Sequence, residues 1–145
     1  MIAIDTNVLI YAHRRDSPWH DRASACVRDL AEGRSSWAIP WPCLHEFYGV
    51  ATSSRLRPPS TPAQAIAQIE EWLASASLVV LAENDAHWRE LRQLLGAARI
   101  TGAVVHDARI AALCISHGVR ELWTADRDFG RFPALTTRNP LLLHE

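Results

Sequence analysis

Residues 2–12 read Ile2-Ala3-Ile4-Asp5-Thr6-Asn7-Val8-Leu9-Ile10-Tyr11-Ala12. Three apolar residues lead into a polar turn, and a longer apolar run follows. The first run is too short and too uniformly apolar for a strand wetted on one face, so it reads as a buried strand. The second reads as a short helix. A buried strand that ends on an acid and turns into a helix is the repeating unit of a parallel α/β sheet.

The unit recurs along the chain. Ser17-Pro18 starts a second helix to about Ala31, since proline suits the first helical turn. Trp37-Ala38-Ile39 is a second strand. Pro40 and Pro42 bracket the turn into a third helix, about Cys43 to Ser53. Residues 54–62 form a loop carrying Arg55, Arg57, Pro58 and Pro59, and Thr61-Pro62 launches a helix to about Ala74. Leu78–Leu81 is the third strand, and Asn84 caps a helix from Asp85 to about Ala98. Gly102 lies in a loop, and His106 to about His117 forms another helix closed by Gly118. Glu121–Thr124 is the fourth strand, and Leu135-Thr136 adds an edge strand. The expectation is one α/β domain over residues 1–145: a short central parallel sheet of four or five strands with helices on both faces.

Composition narrows the chemistry. The 145 residues carry a net charge of -1, and all 15 basic side chains are arginine. Without lysine there is no Walker-type phosphate loop, no Schiff base, no kinase ion pair and no lysine-dependent aspartyl-phosphate chemistry. Hydrophobic residues at 48% and charged residues at 21% give an ordinary soluble balance. Cys26, Cys43 and Cys114 form no close pair and have apolar neighbours. They read as buried thiols in a reducing compartment. No apolar run is long enough for a membrane span, and the N-terminus does not look like a signal peptide, so a cytoplasmic location is expected.

The acids carry the functional signal. In an open parallel sheet, ligands bind beyond the carboxyl ends of the strands. Asp5 follows the first strand and Asp126 follows the fourth. Each alone reads as a helix N-cap. Glu46 and Asp107 are harder to dismiss. Glu46 shares its helix face with Pro42, Cys43, Gly49 and Val50, and Asp107 shares its face with Ile110, Ala111 and Cys114. A carboxylate on an apolar face is costly unless something compensates it. An N-cap role would excuse Asp107, but Glu46 has no such excuse. An arginine from elsewhere is one compensating partner, and a hard divalent cation is the other. Clustered carboxylates with no cysteine–histidine spacing favour Mg²⁺ or Mn²⁺ over Zn²⁺. Setting Asp5, Glu46, Asp107, Asp126 and Asp128 aside leaves 11 of the 16 acids against 15 arginines, a modest positive excess that suits a polyanion.

Taken together, Asp5-Thr6-Asn7-Val8-Leu9, Leu44-His45-Glu46-Phe47-Tyr48-Gly49, His106-Asp107-Ala108 and Thr124-Ala125-Asp126-Arg127-Asp128-Phe129 resemble a PIN domain. The short chain resembles the VapC toxins of VapBC toxin–antitoxin pairs, and the likeness covers essentially the whole sequence. It implies a Mg²⁺- or Mn²⁺-dependent endoribonuclease with Asp5, Glu46, Asp107 and Asp126 as its acidic quartet and Asp128 as a fifth metal-side acid. Thr6, Asn7 and Thr124 match small polar supporting positions. The resemblance further implies cleavage by metal-activated water, leaving a 5′-phosphate and 3′-hydroxyl. It also implies a homodimer and a cognate VapB-type antitoxin.

Arg14, Arg15 and His106 are the RNA contacts considered, against a simpler reading as solvated charge. Arg55 and Arg57 are weighed in the same way. Trp37, Trp72 and Trp123 read as core, whereas Trp19 and Trp41 read as surface that serves a dimer or antitoxin. The seven histidines, His144 among them, share no metal spacing. Two other readings stand beside the nuclease. An aspartyl-phosphate phosphatase lacks its lysine, and a catalytically silent PIN-like scaffold would bind RNA or a partner without cutting.

Overall fold

The computed structural model describes residues 1–142. His144 lies outside the described residues. Five strands, β1 (Ile2–Ile4), β2 (Trp37–Pro40), β3 (Leu78–Leu81), β4 (Glu121–Trp123) and β5 (Thr137–Arg138), form one parallel sheet in the order β3-β2-β1-β4-β5. The helices are α1 (Thr6–His13), α2 (His20–Glu32), α3 (Trp41–Ala51), α4 (Pro62–Leu73), α5 (His87–Ala97) and α6 (Val105–Ser116). From β1 the chain steps outward to β2 and β3, then crosses back to β4 on the far side of β1. With right-handed crossovers, that reversal puts α1–α4 on one face and α5–α6 on the other. The strand order therefore reverses between β1 and β4, where Ile4 stands opposite Trp123.

The centre of the sheet is buried as its composition demands, whereas the edge strand β3 exposes Val79 and the edge strand β5 is exposed at both residues. Ala3, Ile4, Trp37, Ala38, Ile39 and Leu122 are fully buried. The Trp37 indole satisfies its N–H on Ser75 Oγ at 3.1 Å. Phe47 of α3 meets Trp72 of α4 edge-on at 4.8 Å between centroids, and His13 of α1 at 5.2 Å. These contacts tie three helices together over the sheet. Trp19 and Trp41 are exposed as expected. Trp123 is only partly buried, and so is Cys26, which corrects the reading of all three cysteines as buried.

Several boundaries shift for local reasons. Pro18 lies in a turn closed by His20 N–H on the Ser17 carbonyl, so α2 starts at His20. Pro42 sits inside the first turn of α3, where a missing N–H costs nothing. Asn84 Oδ1 accepts from Ala86 N, forming a turn ahead of α5 rather than its cap. A 3₁₀ turn over Gly102–Val104 feeds α6, which places Asp107 in the first turn and rules out its N-cap reading. β4 ends at Trp123, one residue early, and the edge strand lies at Thr137–Arg138 instead of Leu135-Thr136. Gly118 closes α6 with φ +70°, a conformation that favours glycine. Thr61 and Gln64 form a reciprocal capping box at the start of α4.

Candidate active site

The reversal of strand order sets the position of the first acid. Asp5 N–H donates to the Trp123 carbonyl at 3.0 Å, extending the β1–β4 ladder by one rung. Thr124 N–H in turn donates to the Arg138 carbonyl at 2.9 Å. The two residues that follow β1 and β4 are thus held side by side at the carboxyl edge of the sheet. Asp5 caps α1: Oδ1 accepts from Thr6 N at 2.8 Å. Its Oδ2 accepts the Thr124 hydroxyl at 2.7 Å, and the Cys43 thiol stands 3.6 Å from Oδ1. Asp5 is therefore an N-cap whose carboxylate also stands at the carboxyl edge of the sheet.

Asn7 and Thr124 organise the second wall. The Asn7 carboxamide oxygen accepts from Ala125 N at 3.2 Å, and its amide nitrogen reaches Thr124 Oγ at 3.5 Å. Thr124 Oγ also accepts from Asp126 N at 3.0 Å, and Asp126 Oδ1 from Asp128 N at 2.8 Å. Asp126 therefore caps a short 3₁₀ turn, Arg127–Arg131. On the opposite wall the Thr6 hydroxyl donates to Glu46 Oε2 at 3.2 Å.

These residues line one cleft of about 250 Å³: Asp5, Thr6, Glu46, Asp107 and Asp126, with Tyr11 among the others. The four carboxylates expected to form a quartet converge here, from β1, α3, α6 and the end of β4. Asp128 is exposed beside the cleft. Glu46 itself is exposed, as are Gly49 and Val50 on its face. The apolar face that made Glu46 conspicuous is divided: Cys43 is buried, whereas Val50 lines the open cleft and Gly49 is exposed. His106 is exposed and is not part of the lining. Arg14 and Arg15 line a separate, larger groove, where Arg14 grips Asp16 at 2.8 Å and the Pro58 carbonyl at 2.7 Å. Tyr11 and Cys43 were missed as site neighbours. Helical spacing from Asn7 and Glu46 marks both positions, but neither carries charge to draw notice.

Burial pushes Asp5 up to about 6, and the charge of Glu46 adds to the shift. The hydrogen bonds from Thr124, Thr6 and Cys43 act against it. Asp107 is also raised, first by burial and then by the charges of Asp126, Glu46 and Asp128, while Arg131 pulls it down. Burial and the nearby Asp5 keep the Cys43 thiol protonated. The cleft is thus a concentration of negative charge that one nearby arginine offsets only in part.

The donor set is oxygen throughout, which suits a hard divalent cation. Among the described residues, no three of His, Cys, Asp and Glu stand close enough to grasp an ion directly. The arrangement fits a cation that keeps several of its waters and meets only one or two carboxylates, the usual habit of Mg²⁺.

The PIN domain model matches residues 2–135. The chain is similar to Ribonuclease VapC48 of Mycobacterium tuberculosis, 30% identical over 94% of each chain. It is also similar to Ribonuclease VapC33 of the same species, 33% identical over 97% of this chain and 99% of that one. The solved VapBC-1 structure from nontypeable Haemophilus influenzae superposes with a TM-score of 0.68 at 20% identity, covering 97% of this chain and 98% of that one. The acids that meet in the cleft all fall inside the matched stretch, which begins at the first residue of β1, and the chain belongs to the PIN domain family.

Proposed function

We propose that this chain is the toxin of a VapBC-type pair: a Mg²⁺- or Mn²⁺-dependent endoribonuclease, cytoplasmic and dimeric, silenced by a cognate antitoxin. One observation carries the reading. Four carboxylates from four separate elements converge on a single cleft, two of them pushed up by burial and mutual repulsion. Clustering of this kind is costly for the fold and is found where function requires it. The relatives named as VapC ribonucleases support the activity, and a neighbour solved as VapBC-1 supports the partner.

Asp5, Asp107 and Asp126, with Glu46 and Asp128 alongside, would hold the cation, one or two of them directly and the others through its waters. When bound, the ion neutralises phosphoryl charge and makes water a better nucleophile. The rest of the work falls to the chain. Thr124 fixes Asp5 and Asp126 relative to each other. Thr6 orients Glu46 toward the cleft, where its exposed carboxylate is placed to take a proton from water. Asn7 locks the segment after β4 against the start of α1. Residues 1–145 act as one catalytic domain in this reading.

The alternative, a silent scaffold, draws on the absence of a close ligand triad among the described residues. Cleavage of single-stranded RNA by the purified protein distinguishes the two. Expected are cuts that need Mn²⁺ or Mg²⁺, vanish with chelator, leave 5′-phosphate ends and are lost in Asp107→Asn. Full cleavage by Asp107→Asn would sink the nuclease assignment.

Binding carries its own pH signature. A proton and a cation compete for Asp5, whose metal-free pKa is about 6. Mn²⁺ should therefore raise the melting temperature at pH 7.5, and the rise should shrink as pH falls through about 6. Thermal melts at constant ionic strength check this, and a shift independent of pH would exclude Asp5 as a ligand.

A further inference from the structure

An acidic cleft that takes a phosphodiester needs a cation for the backbone as well as for the chemistry. The arginines first considered for that task are elsewhere: Arg14 is occupied by Asp16 and Pro58, and Arg15 lines the other groove. Arg109 is held by Glu83, and Arg22 by the Pro140 and Leu142 carbonyls. Arg131 differs. Its Nε donates to the Asp128 carbonyl at 3.0 Å, within the 3₁₀ turn that Asp126 caps. The Asp128 carboxylate stands 3.9 Å from Nη2, beyond hydrogen-bond range, and an exposed pair at that distance is weak. The guanidinium is thus anchored through Nε, while its terminal nitrogens make no hydrogen bond to the described residues. Its charge also reaches Asp107.

We propose that Arg131 seats the RNA backbone at the mouth of the carboxylate cleft, presenting its two terminal nitrogens as a fork to a phosphate next to the one that is cut. The assignment rests on the ribonuclease reading for its substrate. The anchor and the fork have separate jobs: Nε fixes the direction of the side chain from the turn that carries Asp126, and the free edge matches two phosphate oxygens. The same charge faces Asp107, so it competes mildly with a cation there. Arg131 therefore binds RNA at some expense to metal affinity.

Binding of a fluorescent single-stranded RNA of mixed sequence, measured in an Asp5→Asn background over a range of salt concentrations, tests the proposal. Arg131→Gln should weaken binding about tenfold. It should also flatten the log–log salt slope by about 0.7, the loss of one phosphate contact on a single strand. Arg131→Lys should restore the slope and only part of the affinity, since a point charge lacks the fork. In the wild-type background Arg131→Gln should shift the Mn²⁺ midpoint of thermal stabilisation to lower concentration. A variant that merely loosens the 3₁₀ turn would weaken both ligands. An unchanged salt slope, or a Mn²⁺ midpoint moved upward, overturns the role of Arg131. Wild-type protein that binds RNA through Arg131 but never cuts it removes the nuclease reading and leaves this one standing.

Discussion

Asp5→Asn should abolish RNA cleavage, by on the order of a thousandfold or more, and yet make the metal-free protein more stable at neutral pH. The loss follows from the position of Asp5, at the base of the cleft and within reach of Thr124, Thr6 and Cys43. The gain follows from linkage. The carboxyl has a folded-state pKa of about 6 against 3.8 for the free side chain. Between those values the folded state binds more protons than the unfolded state, so stability falls as pH rises from about 4 to about 6. At pH 7 the charge therefore costs on the order of 3 kcal/mol. Asparagine removes that cost but has only one oxygen for three donors. Its amide nitrogen faces a Thr124 oxygen that already accepts from Asp126 N. Surrendering about one hydrogen bond leaves a net gain of about 1–2 kcal/mol. Urea unfolding with chelator at pH 7 and pH 4 checks both halves: the variant should be the more stable at pH 7, and the advantage should be gone at pH 4. A variant less stable than wild type at pH 7 would mean that the three donors outweigh the burial.

Phe47→Ala should cost about 3–5 kcal/mol, the range for emptying a fully buried aromatic site. Phe47 is wholly buried and packs edge-on against both Trp72 and His13. Its removal unties α3 from α4 and α1 together. In a domain of this length that corresponds to a fall in melting temperature of roughly 8–16 °C. Glu46 is the preceding residue, so cleavage should decline at temperatures where the variant is still folded. Phe47→Leu, which keeps most of the volume, should recover most of the stability. Calorimetry and initial rates below the transition separate the two effects. A drop of less than about 1 kcal/mol would show that the neighbours collapse into the space.

The sequence exposed most of this arrangement because parallel strands are short, buried and apolar, and the residue that follows each one must face the sheet edge. Asp5 and Asp126 were legible at that edge, where each alone reads as a helix N-cap and only Glu46 and Asp107 beside them make a site. Glu46 was found for a reason that was half right. Its apolar face is real, but only its Cys43 side is buried and its Val50 side is a cleft wall open to solvent, a division that helical spacing alone cannot reveal. The start of α2 was misplaced because Ser17-Pro18 serves a turn as well as a first helical turn, and only the hydrogen bond from His20 decides between them. The arginines were beyond reach. A side chain that long is placed by contacts that its own position does not fix: Arg14 reaches the carbonyl of Pro58, 44 residues away, and Arg131 turns back on the Asp128 carbonyl instead of extending away from the turn.

Helix α1 is only eight residues long, about 12 Å from end to end. Its first turn is capped by Asp5. Its last residue, His13, faces the larger groove, with Nε2 on Ser60 Oγ at 2.9 Å and Nδ1 on Gln68 Oε1 at 3.1 Å. A rod of two turns, hydrogen-bonded along its whole length, has no hinge with which to isolate one end from the other. One short rod therefore forms part of both hollows of this molecule, ending on the cleft at Asp5 and on the groove at His13.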